Sequence, residues 1–507
     1  MTTAGAPTAP NRDPAGPMGG NTMLGHPVGL FMLFGTEMWE RFSFYSMRAY
    51  LVLYMTKALL FSQQVSNEIY GAYLGFVYAA PFVGGMLADR LLGQRRAIVI
   101  GAVLMASAQF TLAAHSLLSP DAGAPPAVLN MLFFVALGLL AAGNGFFKPN
   151  ISSIVGALYE RGDARRDSAF TIFYMGINVG AFAAGFSGQI AESFGWHWGF
   201  LLAGTGMLLG LLIFLLGGHL LMGRGLPPRV GALVERSLLG LPKALLLAVG
   251  VAVFIPVSGY LISNPGFVQG LAVVVAVPII GYLVWEAVRS TREERDQMFV
   301  VIILCSFSML FWAFFELAGS AINLFTDAHV QRTLPLVGEL KASLLTASTN
   351  PLLIVLLAPL FSWLWIWLER RRWEPASPLK FAMGLLQLGA GFLVLYFGAT
   401  QAGETGRCNI LYLMFGFLLH TTGELCLSPV GLSTMTKLAP ARLVSTVMGV
   451  WFLFTALGNV LGGWVGGKTE HHGFGQVFLW IAGTTAGASV LLFLVSRPLK
   501  RMMHGVK

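Results

Sequence analysis

The chain has 507 residues, of which 56% are hydrophobic and only 11% charged, with a net charge of +9. Soluble domains carry about a quarter charged residues, so this composition, with a mean hydropathy of +0.71, excludes an ordinary soluble protein and points to many bilayer crossings. Three cysteines without ligand spacing exclude a disulfide framework and a metal site. The basic residues gather in short loops, which argues for membrane topology and against a nucleic-acid partner.

In chain order, residues 1–25 are rich in Pro, Gly, Ala and Thr and read as a disordered tail, with no signal peptide expected. Apolar runs of about 20 residues then predict fourteen spans at 27–56, 66–90, 96–118, 127–149, 168–191, 197–220, 242–262, 267–288, 298–325, 339–368, 379–399, 408–436, 443–466 and 474–496. One set of alternate connections carries the bases, among them Arg90, Arg95 and Arg96, then Arg224, Arg229 and Arg236, then Arg289, Arg292 and Arg295, then Arg370 to Arg372. The other set holds only Lys57, Arg332, Lys341, Arg407 and Lys468. The basic side is expected to be cytoplasmic, with both termini on it.

The first span is the anomaly. Glu37, Glu40, Arg41 and Arg48 lie inside it, and with Phe44 and Tyr45 they fall on one helical stripe. Each charge costs roughly 2.5–3.5 kcal/mol at mid-bilayer unless it faces protein or water. The stripe reads either as a helix-packing ion pair or as a proton or substrate relay lining a cavity. Three further charges are embedded: Lys148 at the end of the fourth span, Glu316 in the ninth and Glu424 in the twelfth. Acids and bases nearly balance, as buried charges must. Bases in one half and an acid in the other suit a small zwitterion.

The spans divide as six, two and six. The divisions predicted are a tail at 1–25, a bundle at 26–222, a linker with two extra helices at 223–296, a second bundle at 297–498 and a cytoplasmic tail at 499–507. Two six-helix halves that rock about a midplane site are one architecture of secondary transporters.

The residues resemble a known family. Glu37-x-x-Glu40-Arg41-Phe42-Ser43-Phe44-Tyr45-Ser46-Met47-Arg48 is similar to the first-helix signature of proton-dependent oligopeptide transporters, a branch of the major facilitator superfamily. Gly143 to Asn150 resembles the fourth-helix motif, Phe170 to Gly180 the fifth, and Gly423 to Leu432 the tenth of the twelve core helices. Gly85-x-Leu87-Ala88-Asp89-Arg90 and the residues to Arg96 resemble the superfamily's cytoplasmic loop motif, which makes Asp89 and Arg90 a structural and gating latch.

The resemblance implies an all-α polytopic protein of the major facilitator fold, with two extra helices as in bacterial members, in a bacterial inner membrane. It implies proton-coupled import of di- and tripeptides by a monomer, with no cofactor and the proton as coupling ion. A transporter of the same fold for an amino-acid derivative, a peptide-like drug or an anion is the alternative. A non-transporting receptor is disfavoured, and an enzyme is too, since no zinc-protease helix motif or nucleophile elbow occurs. Glu37, Glu40 and Arg41 would couple to protons. Arg48 and Lys148 would hold the peptide carboxylate, Glu424 its amino terminus, and Glu316 would pair with Lys148 across the bundles.

Phe44, Tyr45, Tyr78, Asn178, Asn350, Ser428 and Trp451 match pocket positions. On residue type alone Tyr78 and Trp451 read as packing aromatics, and Asn178 and Asn350 as interhelical hydrogen-bond glue. His115, His219 and His420 read as packing histidines. Two departures make the pocket less polar: Phe44 stands where the family usually has tyrosine, and Leu317 where glutamine is common.

Overall fold

The structure, a computed structural model, describes residues 22–506 apart from 120–126, 161–162, 164, 230, 232, 237–239, 336, 441 and the side chain of Ser445. Most of the predicted tail therefore lies outside the described residues. Its last four residues do not trail freely, because Thr22–Met23 pairs antiparallel with His26–Pro27. His26 then accepts or donates a 2.8 Å bond with the Tyr159 hydroxyl.

The first bundle comprises α1 (Val28–Lys57), α2 (Gln63–Leu87), α3 (Gln94–Leu118), α4 (Ala127–Ala157), α5 (Arg165–Phe194) and α6 (Trp196–Leu216). The extra pair is α7 (Lys243–Ile262) and α8 (Pro265–Arg289). The second bundle comprises α9 (Arg292–Phe315), α10 (Ala321–His329), α11 (Ala342–Arg370), α12 (Ser377–Thr405), α13 (Ile410–Leu438), α14 (Val444–Gly467) and α15 (Thr469–Met502). Thirteen spans among the described residues are long and apolar enough to cross a membrane, α9 and α10 counting as one. The remaining span, α1, is 30 residues long and differs only in carrying the charged stripe. The chain is a multi-pass membrane protein.

Each bundle has its own apolar core, one built on α1 to α6 and the other on α9 to α15. The bundles meet on the side opposite the basic loops, where small residues bring backbones together. A Cβ on Gly71 of α2 would lie 2.7 Å from the Cα of Gly463 of α14. A Cβ on Gly185 of α5 would overlap Ser348 of α11, whose hydroxyl donates to the Phe182 carbonyl at 2.7 Å. Lys57 reaches Asp327 at 2.8 Å, and Gln64 N donates to Glu470 at 2.5 Å. These contacts seal that side.

Three predicted elements change. The ninth span is not one helix: a tight turn over Glu316–Gly319 separates α9 from α10. At that turn Gly319 lies so close to the Tyr70 hydroxyl that no Cβ would fit. The last span is longer than predicted and kinks at Gly473, where φ is +77°. The predicted tail at 499–507 is likewise packed over its described residues, with Leu499 and Met503 buried and His504 3.1 Å from Asp296.

Candidate functional site

Between the bundles lies a cavity of about 390 Å³. It is closed on the glycine-sealed side and extends toward the basic side, where Tyr174, Leu432 and Phe452 line it and are exposed. Twelve of the predicted residues line it: Glu37, Arg41, Tyr45, Arg48, Tyr78, Lys148 and Asn178 from the first bundle, and Glu316, Asn350, Glu424, Ser428 and Trp451 from the second.

The stripe on α1 is held by backbone-close packing. A Cβ on Gly180 of α5 would strike the Met38 carbonyl and come within 3.1 Å of the Arg41 Cβ, so glycine there lets α5 press the charged turn into place. Arg41 is the hub. Its Nε and Nη2 donate to the two oxygens of Glu40 at 2.5 and 2.8 Å, and Nε also lies 3.1 Å from Glu37 Oε1. All three side chains are buried, and Glu37 Oε2 has no hydrogen-bond partner among the described residues. Two carboxylates thus share one guanidinium. Glu40 sits behind Arg41 and does not line the cavity, whereas Glu37 does.

Phe44 also lies off the cavity, contrary to the reading that made it a pocket residue. It is buried, and its ring stands 5.1 Å from the Arg41 guanidinium and 5.5 Å from that of Arg48. Positions 41, 44 and 48 are three and four residues apart, which puts this ring between the two cations on one helix face. A phenyl face stabilises a cation by about 0.5–2 kcal/mol, so Phe44 orients charges and makes no contact with the cavity.

The interbundle ion pair also differs from expectation. Glu316 pairs with Arg48, not with Lys148, and also accepts from the Tyr78 hydroxyl at 3.2 Å. Arg48 donates from Nε to the Tyr70 hydroxyl at 3.1 Å. The turn after α9 lifts Glu316 toward α1 and α2, and so toward Arg48. Lys148 has no ion-pair partner among the described residues; its ammonium sits 4.8 Å from the centre of the Tyr78 ring.

On the other wall Glu424 accepts from Asn350 Nδ2 at 2.9 Å, and the same amide lies 3.0 Å from Thr421 Oγ1. Asn350 therefore bridges α11 and α13 beside the carboxylate, and no cation pairs with Glu424 among the described residues. The Asn178 amide instead bonds to its own helix, at the Tyr174 carbonyl 3.0 Å away. Trp451 fits against Gly431, where a Cβ would lie 2.4 Å from the indole. Asp89 and Arg90 end α2 on the basic side, away from the cavity, with Asp89 accepting from Gln94 at 2.9 Å.

The sequence reading missed Tyr70, Tyr174 and Trp312, and treated His420 as packing, although all four line the cavity. Tyr174 was within reach, since it sits in the fifth-helix motif four residues before Asn178. Trp312, whose indole N–H is buried without a partner among the described residues, precedes Glu316 by four. Tyr70 carries no local signal.

Among the described residues, the arrangement is a chamber with an unpaired cation on one wall, a carboxylate free of cations on the other, and an ion pair bridging them. Comparison with known proteins agrees with the resemblance. The chain matches the POT family over residues 95–480. The peptide transporter YePEPT of Yersinia enterocolitica is 36% identical, the alignment covering 96% of this chain and 98% of that one. Dipeptide and tripeptide permease B of Salmonella typhimurium is 30% identical, covering 87% of each. A crystal structure of the peptide transporter POT in complex with sulfate superposes with a TM-score of 0.80 at 33% identity, covering 96% of this chain and 97% of that one. With the family matched over most of its length and its signature residues gathered around one chamber, the chain belongs to the POT family.

Proposed function

We propose that this protein is a symporter that imports di- and tripeptides with protons by alternating access. The observation that carries the reading is the placement of Lys148, without an ion-pair partner among the described residues, opposite Glu424, which no described cation neutralises. A peptide always has a carboxylate and an ammonium, whatever its side chains. Gripping the two ends while leaving the middle to water and aromatic walls accepts many sequences. The names of the similar transporters support peptides over the other solutes.

The test is uptake of labelled dialanine into proteoliposomes. Accumulation above the equilibrium level is expected with acid outside, and equilibration alone without a gradient. Equal uptake in both conditions would remove proton coupling, and no uptake of any di- or tripeptide in a panel would remove the substrate class.

The proposed setting is a bacterial inner membrane, with a monomer as the working unit and both termini in the cytoplasm. The excess of Lys and Arg on one set of loops supports this orientation. Single cysteines placed at 264 and at 403 are expected to react with a membrane-impermeant maleimide added to intact cells. Labelling of either position only after lysis would reverse the topology.

A further inference from the structure

A second cavity, also about 390 Å³, lies outside the transport chamber, between α2, α4 and α7. Its origin is in how α7 leans on the first bundle. Away from the basic side the two helices touch at backbone distance: a Cβ on Gly138 of α4 would lie 2.3 Å from the Ile255 carbonyl, and one on Gly259 of α7 2.6 Å from the Phe134 carbonyl. Toward the basic side α7 stands off and α2 fills only part of the gap. The groove left there is walled by Val83, Leu87, Phe146 and Leu247, with Gly250 on its α7 side and Lys243 at its mouth.

Its surroundings define what can occupy it. The walls are apolar and lie within membrane-spanning helices, so an acyl chain suits them where water or a polar solute does not. The mouth is basic. Arg90 at the end of α2 is exposed and has no ion-pair partner among the described residues. Lys243 is bonded to Glu235 at 2.5 Å, which uses one of its three donors. Arg229 and Arg236 belong to the same linker. Counting Asp89 beside Arg90 with Glu235, these four cations outnumber the two acids, so an anionic headgroup is favoured at this end of an acyl-chain groove.

We infer that the groove holds an anionic phospholipid, with one acyl chain between α2, α4 and α7 and its phosphate at Lys243 and Arg90. The site bears on the transport machinery through α2 and α4. The floor of the groove is the contact of Gly84 with Gly145, where a Cβ on Gly84 would lie 2.0 Å from the Gly145 carbonyl. Lys148 follows three residues later on α4, and Tyr78 lies six residues earlier on α2. The bound lipid thus ties an extra helix to the two helices that set the Tyr78–Lys148 contact, which gives α7 a role within a membrane transporter.

The experiment uses phosphatidylglycerol or phosphatidylcholine with the same diazirine-bearing acyl chain, in phosphatidylcholine vesicles containing the full-length protein. Crosslinked peptides are then mapped. Phosphatidylglycerol is expected to label α2 and α7 around Val83, Leu87 and Leu247 more than phosphatidylcholine does, by about fivefold for each basic residue engaged. Lys243→Gln should cut that preference. Gly250→Phe should abolish labelling at the groove but not elsewhere, because a Cβ at 250 meets nothing within 4 Å and the ring beyond it takes up the space of the acyl chain. Equal labelling by the two lipids, or groove labelling that persists in Gly250→Phe, would overturn the assignment and leave an ordinary annular lipid surface.

Discussion

In Glu37→Gln and in Glu40→Gln, pH-driven accumulation of dipeptide falls to the level reached without a gradient, while exchange of internal for external peptide continues. Among the described residues, Arg41 is the only cation within ion-pair distance of both acids. With both ionised, Glu37, Glu40 and Arg41 together carry one surplus negative charge, which only the more distant Lys148 ammonium acts to offset among the described cations, and a poorly compensated buried charge costs several kcal/mol. A proton on the free oxygen of Glu37 removes the surplus. Glu37 is the member that faces the cavity, so a proton can reach it by water from the chamber.

Replacing either acid by glutamine leaves one carboxylate and one guanidinium, which are neutral together and need no proton at working pH. Coupling is then expected to disappear while the groups proposed to hold peptide, Lys148 and Glu424, are left intact. The measurement is accumulation against counterflow in the same proteoliposomes. Full pH-driven accumulation in the double variant would show that the titrating group lies elsewhere.

How much of this was visible beforehand depends on whether the information is local. The stripe on α1 was legible because four charges in an apolar span are improbable on any surface facing lipid, and helix geometry alone puts them on one face. The spans were legible for the same reason, as length and hydropathy are properties of each segment.

Pairing across the bundles was not local. Whether Glu316 meets Arg48 or Lys148 depends on the turn at Glu316–Gly319, and at that turn Gly319 packs on Tyr70, from a helix in the other half. Tyr70 was missed for the same reason. Phe44 failed differently: its position matched a pocket residue, but its spacing from Arg41 and Arg48 turns the ring inward between two cations. That spacing was already in the sequence. The kink in α15 was marked only by a single glycine, Gly473, which does not distinguish a bend from an ordinary helical position.

The second large effect concerns the peptide amino terminus. Glu424 is held by the neutral Asn350 amide and by no cation among the described residues, so its charge is available to an incoming ammonium. Lys148 on the opposite wall has no acid partner among the described residues and is available to the carboxylate. Arg48 already answers to Glu316, so it contributes to the carboxylate end only by what its remaining donors can reach. On the proposed reading, a bound peptide would span the chamber with its amino end on α13 and its carboxylate on α4, and so would draw the two bundles together. An ammonium–carboxylate hydrogen bond is worth about 1.5–3 kcal/mol, so removing it weakens binding by roughly one to two decades. Glu424→Gln is a suitable probe because glutamine keeps an oxygen for the Asn350 amide while losing the charge.

The direct measurement is competition for uptake by free dialanine and N-acetyl-dialanine in the wild type and in Glu424→Gln, read as a double-mutant cycle. Acetylation should weaken competition by one to two decades in the wild type and add little in Glu424→Gln, because both changes remove the same contact. If the two losses instead multiply, the amino terminus is held elsewhere, and a peptide bridging Lys148 and Glu424 is ruled out.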